Sequence, residues 1–143
     1  DADFHTSVPG IFAAGNVVHV YDLVDWVTEA GYAAGKAAAL YAADQLKPLG
    51  NRINTHAGDN VRYIVPHHFG AGQLETEIIP LQMRVSSPIE KPVWVEALVG
   101  SERITRRGLP YARPGEMITL NLKPEHAEQL KIKKSITIRI IER

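Results

Sequence analysis

The residues best placed for chemistry are a glycine and an amide, Gly15 and Asn16, in the apolar run Ile11-Phe12-Ala13-Ala14-Gly15-Asn16-Val17-Val18. Glycine has no Cβ, so a ligand can approach its backbone closely. Asparagine both donates and accepts hydrogen bonds. A helix expected to begin near Asp22 would aim its unpaired N–H groups and partial positive charge toward the same place. Such a dipole term is worth roughly 0.3–1 kcal/mol when exposed, enough to tune a bound group but not to retain one.

Other candidates are weaker. His67 and His68 are adjacent and would point to opposite faces of a strand, and no H-x-x-H spacing supports them, so no metal site is expected. The basic residues Arg103, Arg106, Arg107, Lys131, Lys133 and Lys134 have glutamates among them and Tyr111 as the nearest aromatic. That composition fits a solvated face, or docking to the acidic first segment or to a partner subunit, better than nucleic acid. Trp94, inside Val93-Trp94-Val95, reads as core or inter-domain packing. No Ser/His/Asp or paired-carboxylate spacing suggests a catalytic residue.

The elements that must position Gly15 and Asn16 are a strand over 11–18 and the helix after it. Thr6-Ser7-Val8-Pro9-Gly10 is turn chemistry, because proline fixes one dihedral and glycine permits the next. Asp22 is the expected N-cap, with Asp25 and Glu29 suiting the helix's positive end. Leu23, Val27, Ala30, Ala34, Ala37 and Tyr41 step by four and three to form an apolar face. Gly31 and Gly35 cost about 1 kcal/mol each against alanine, which implies close approach by another backbone. One strand and one helix cannot enclose a core. A strand apolar on both faces belongs in a covered parallel sheet, so the segment is expected to be the end of a larger α/β domain.

Thr6-Ser7-Val8-Pro9-Gly10-Ile11-Phe12-Ala13-Ala14-Gly15-Asn16 resembles the C-terminal flavin-binding motif of the thioredoxin-reductase-like pyridine nucleotide-disulfide oxidoreductases, T-x-x-P-G-[IV]-[FY]-A-x-G-D. Thr28-Glu29-Ala30-Gly31 and the small residues from Ala33 to Ala39 match its helical continuation. The resemblance implies FAD as cofactor and NAD(P)H as electron donor in the parent enzyme. It places Gly15 and Asn16 against the ribityl chain, and the backbone N–H of either Asp25 or Trp26 at the isoalloxazine ring. Asn16 departs from the family's aspartate and loses a charge-assisted hydrogen bond, which is roughly twice as strong as a neutral one. The G-x-G-x-x-G pyrophosphate fingerprint does not occur, and Gly70-Ala71-Gly72 is too short to replace it. The chain is therefore expected to be inactive alone.

Composition agrees with a two-part chain. Of 143 residues, 45% are hydrophobic and 22% charged, which is ordinary for a globular protein. No cysteine is present, which excludes an internal dithiol centre and thiolate metal sites. Nothing resembles a membrane span or a signal peptide, and a cytoplasmic location is the expectation. The net charge is zero, yet residues 1–46 hold six acids against Lys36 alone, a net of −5 that the rest balances. The sign changes at the helix-stopping Lys47-Pro48-Leu49-Gly50. This sets domains at 1–46 and 51–143 with a linker at 47–50.

Beyond Asn51 the period becomes two. Strands are expected over 61–65, 77–85, 93–99, 103–107, 117–122 and 135–141, with a helical turn over 124–130. The fold class expected is mainly β: an antiparallel β-sandwich, immunoglobulin-like or similar, preceded by the strand–helix remnant of an α/β FAD-binding domain. Its partners would be the rest of the parent enzyme, a partner subunit or a second copy, with neither nucleic acid nor membrane. The rival reading is a non-enzymatic interaction module whose first strand and helix cover one face of the β domain.

Overall fold

Pro9 fixes its own φ and Gly10 takes φ +80°, so residues 8–11 close a turn in which the Ile11 N–H donates to the Val8 carbonyl at 3.1 Å. The computed structural model in which this is seen describes residues 1–143. It divides into two units, Asp1–Pro48 and Leu49–Arg143, and the division falls inside the 47–50 segment.

In the first unit the expected strand over 11–18 does not form. His5 and Phe12 make an isolated antiparallel bridge, and Gly15–Val17 is a 3-10 turn. A ladder needs neighbouring strands, and this unit offers the run only the segment before the Pro9-Gly10 turn. The helix is present as α1, Val24–Ala42. Leu23 rather than Asp22 occupies its N-cap, and no side chain caps it. Of the expected apolar face, Ala30, Ala34 and Ala37 are buried, whereas Leu23 and Tyr41 remain exposed. Gly31 and Gly35 have open space where a Cβ would project, so no backbone approaches them within this structure.

The second unit is mainly β. Its strands are β1 Arg52–Ala57, β2 Val61–Val65, β3 His68–Gly70, β4 Ile79–Val85, β5 Val93–Val99, β6 Glu102–Leu109, β7 Ile118–Leu122 and β8 Ser135–Glu142. Helix α2 covers Ala71–Thr76, and a 3-10 turn at Pro124–His126 leads into α3, Ala127–Lys133. Five strands form one sheet in the order β3-β1-β8-β5-β6, and three form another in the order β2-β4-β7. The expected antiparallel pairing holds everywhere except between β1 and β8, which run parallel from Asn54↔Ser135 to Ala57↔Ile138. The unit's first and last strands thus lie side by side within the larger sheet.

Alternation explains the core. On β8, Ile136, Ile138 and Ile140 are fully buried while Thr137, Arg139 and Ile141 are not. Val93, Val95 and Ala97 of β5 and Leu81, Met83 and Val85 of β4 are buried likewise. Phe69, on a strand of only three residues, has no exposed surface.

Gly70 sits where the chain enters α2, and its N–H donates to the Gln73 side chain at 2.9 Å. A Cβ there would overlap the Leu49 carbonyl. Because the obstacle is backbone, Gly70→Ala is expected to lower stability by about 1–3 kcal/mol, measured by urea unfolding. A variant as stable as the parent would show that the 49–51 segment yields.

Candidate functional site

The four cofactor-binding candidates lie in the first unit, around the start of α1. Gly15 is buried with φ +73°, a conformation that costs an L-residue roughly 1–2 kcal/mol. Its missing side chain would face Val27 of α1, with Cγ1 at 3.6 Å. The Gly15 carbonyl accepts from the N–H groups of Val18 and His19. Asn16 is exposed, and its Oδ1 accepts from the Tyr21 N–H at 3.3 Å. Its amide therefore holds the 16–21 loop. Asp25 is exposed in the first turn of α1, and Trp26 beside it is half-buried.

Two histidines that sequence reasoning passed over organise this unit. His5 Nε2 accepts the Gly10 N–H at 2.9 Å, and its ring stacks on Phe12 with centroids 4.6 Å apart. Tyr41, near the end of α1, meets both rings, at 5.3 and 5.8 Å. This aromatic trio ties the turn segment to the C-terminal end of the helix. His19 is buried and meets Tyr21 edge-on at 5.1 Å, and burial pushes the Tyr21 phenol pKa upward. A histidine directly after a glycine-centred turn was the available signal. Its side chain lies only four residues beyond Gly15.

Several aliphatic side chains of this unit are exposed. Val17, Val20, Leu23 and Val24, between Gly15 and the first turn of α1, are all more than half exposed, and Val17 reaches 83%. Val8 and Ile11 are more than half exposed as well, in the turn that packs on Tyr41 near the other end of the helix.

The second unit carries two arginine constellations on one sheet face. Trp94 and Glu96 alternate with the buried Val93, Val95 and Ala97, so they share the opposite face of β5. Glu96 is only 2% exposed, and both its oxygens are used. Arg139 donates through Nε and Nη2 to Oε2 at 3.1 and 2.9 Å, and Arg103 through Nη1 to Oε1 at 3.1 Å. Burial alone would raise the Glu96 pKa, but the hydrogen bonds from Arg139 and Arg103 outweigh it and hold the carboxyl below its ordinary value.

Trp94 is not core. It is half-buried beneath two guanidiniums, those of Arg106 and Arg143, each 4.0 Å from its ring centroid. The basic set also proves not to be one patch. Arg107 donates to the Thr119 carbonyl of β7, and Lys131 on α3 pairs with Glu75 and Glu128. The signal missed in the sequence was Glu96, a carboxylate inside an otherwise apolar strand flanked by arginine-bearing strands.

His67 and His68 do not come together with acids. No group of three or more His, Asp or Glu side chains is gathered to hold a metal ion. His68 is half-buried, and burial, with Arg52 and His67 nearby, lowers its pKa to about 4. A lowered histidine pKa means that the neutral form is favoured in the fold. The stability it contributes is complete above the ordinary value of 6.5 and is lost as pH falls toward 4. Titration by NMR should show His68 still neutral well below 6.5, and an ordinary midpoint would contradict its burial.

No helix is long and apolar enough to cross a membrane. No protein-family model, curated protein or solved structure matches the chain.

Proposed function

We propose that residues 1–46 form one edge of the flavin site of an FAD-dependent NAD(P)H oxidoreductase, and that residues 51–143 are its accessory β domain, with the two sheets packed as a sandwich. The observation that carries this reading is Gly15: buried, at φ +73°, directly before an exposed amide and a 19-residue helix, with the exposed Val17, Val20, Leu23 and Val24 on the segment between them. The left-handed conformation, which glycine adopts without steric cost, forms the turn that leads the chain through the exposed Asn16 toward α1. The exposed aliphatic side chains and the open Gly31 and Gly35 leave apolar surface suited to close packing by further polypeptide.

In this reading Asn16 trades its bond to the Tyr21 N–H for one to a ribityl hydroxyl, or makes both, since an amide oxygen has two lone pairs. The first turn of α1 would direct the N–H of either Asp25 or Trp26 toward the pyrimidine edge of the ring. FAD bound there would accept hydride from NAD(P)H. This chain's own residues orient the flavin and shield one side of it. In support of the sandwich, both sheets carry alternating buried aliphatic residues, and Arg107 of β6 reaches the Thr119 carbonyl of β7.

The test is the native polypeptide that carries these residues. It is expected to show visible flavin absorbance and to release FAD on denaturation. Gly15→Val in that polypeptide should lower flavin occupancy several-fold, because a β-branched residue is strained at φ +73° and its side chain would press on Val27 of α1. A colourless protein that cannot be reconstituted with FAD would overturn the proposal and favour an interaction module.

A further inference from the structure

We propose that the Trp94 face of the five-stranded sheet is a docking site for a carboxylate-rich segment of a partner protein. This requires nothing from the flavin reading. The face holds two pairs of arginines, one with a carboxylate and one without. Glu96 takes hydrogen bonds from Arg103 and Arg139 on the two neighbouring strands. Arg106 stands opposite Glu96 in the register but lies over Trp94 instead, as Arg143 does; both are exposed, and no acidic side chain of the chain pairs with either. Arg143 is fixed by a bond from its Nε to the Val93 carbonyl at 3.2 Å, which leaves its terminal nitrogens as donors.

Gly108 is the device that makes room. It pairs with Trp94 across β5 and β6, and a Cβ there would overlap the Arg143 guanidinium. Two cations held by stacking on one indole repel each other, and an incoming carboxylate relieves that repulsion through the planar fork geometry that guanidinium offers. Four arginines against one glutamate leave the face with an excess of positive charge. Tryptophan and arginine are also the side chains that dominate binding energy at protein interfaces. Nucleic acid fits less well, because Trp94 already carries two guanidiniums and Tyr111 carries that of Arg113 at 4.3 Å, in competition with a stacking base.

The chain has two tryptophans, so in a Trp26→Phe background Trp94 reports alone. Titration with a poly-glutamate peptide is expected to change its fluorescence saturably, and a poly-glutamine peptide should not. Arg106→Ala should weaken binding about tenfold or more. Gly108→Ala, which keeps every charge, displaces the Arg143 guanidinium and crowds the Trp94 ring, should weaken it in the same direction. Arg113→Ala, at an exposed Glu90 pair elsewhere, should leave it unchanged. Equal weakening by Arg113→Ala and Arg106→Ala would overturn the proposal, since binding would then track net charge alone. So would tighter binding of a single-stranded oligonucleotide than of the peptide. Sedimentation showing self-association that excludes the peptide and is lost in Arg106→Ala would assign the face to a second copy instead.

Discussion

Phe69→Ala is expected to destabilise the Leu49–Arg143 unit by about 3–5 kcal/mol, the largest effect of any single substitution considered. The phenyl ring has no exposed surface, and its removal leaves a cavity that only partial relaxation can fill. The loss is a large fraction of the roughly 5–15 kcal/mol that a small domain possesses. Phe69 pairs with Ile53 of β1, itself 1% exposed, so collapse around the cavity would have to move two strands at once. Chemical denaturation followed by circular dichroism reads the change. A loss below about 1 kcal/mol would mean that the β3 edge is loosely packed and that its burial contributes little.

Glu96→Ala should cost about 2–3 kcal/mol, at or below the lower end for breaking a buried ion pair. Arg103 and Arg139 are 48% and 37% exposed, so each can turn toward water once its partner is gone. The isosteric Glu96→Gln gives a cleaner reading through pH. A carboxyl whose pKa is depressed in the fold contributes stability that is complete above its ordinary value of 4.5 and is lost as pH falls through the lower folded value. The parent should therefore lose stability steeply below pH 4.5, and the glutamine variant less steeply over the same range. Parallel acid limbs for the two proteins would remove Glu96 from the account. His68 also weakens the fold in acid, but from 6.5 downward, so the two contributions begin at different pH values.

The strands that sequence made visible are runs rich in β-branched and aliphatic residues closed by turn residues. The expected 61–65 and 93–99 match β2 and β5 in both bounds, and 135–141 falls one residue short of β8. Three elements were not legible, each for a physical reason. Strand β1, Arg-Ile-Asn-Thr-His-Ala, has one fully buried side chain, Ile53, and owes its order to pairing with a strand more than 80 positions away. Strand β3 is too short to show a period. Helix α2 has six residues, contains Gly72 and has glycine at its N-cap. The run over 11–18 erred the other way. Its residues have strand propensity, but propensity without a partner ladder gives only the His5–Phe12 bridge.

At the candidate sites, residue types were legible and partnerships were not. Gly15 announced its special backbone, and φ +73° agrees with the type of residue found there. Asp22 looked like a cap, but the chain stays extended through Leu23 and begins the helix one residue later. Trp94 looked like core because its neighbours are apolar. The alternation that places it on the other face also places Glu96 there, but even the register does not assign the arginines: Arg106 stands opposite Glu96 and stacks on Trp94, while Arg103, opposite Leu98, takes the carboxylate.

The parallel pairing of β1 with β8 bears on how the protein is made. Translation delivers the strand at the middle of the larger sheet after all the others, so the nascent chain holds β3-β1 and β5-β6 as two fragments with no bridge between them. Each fragment carries a raw edge of unsatisfied amides and carbonyls, the kind of surface that recruits strands from neighbouring chains. Completion comes only when residues 135–142 clear the ribosome tunnel. A stalled or prematurely released product lacking that last strand is thus a natural client for chaperones.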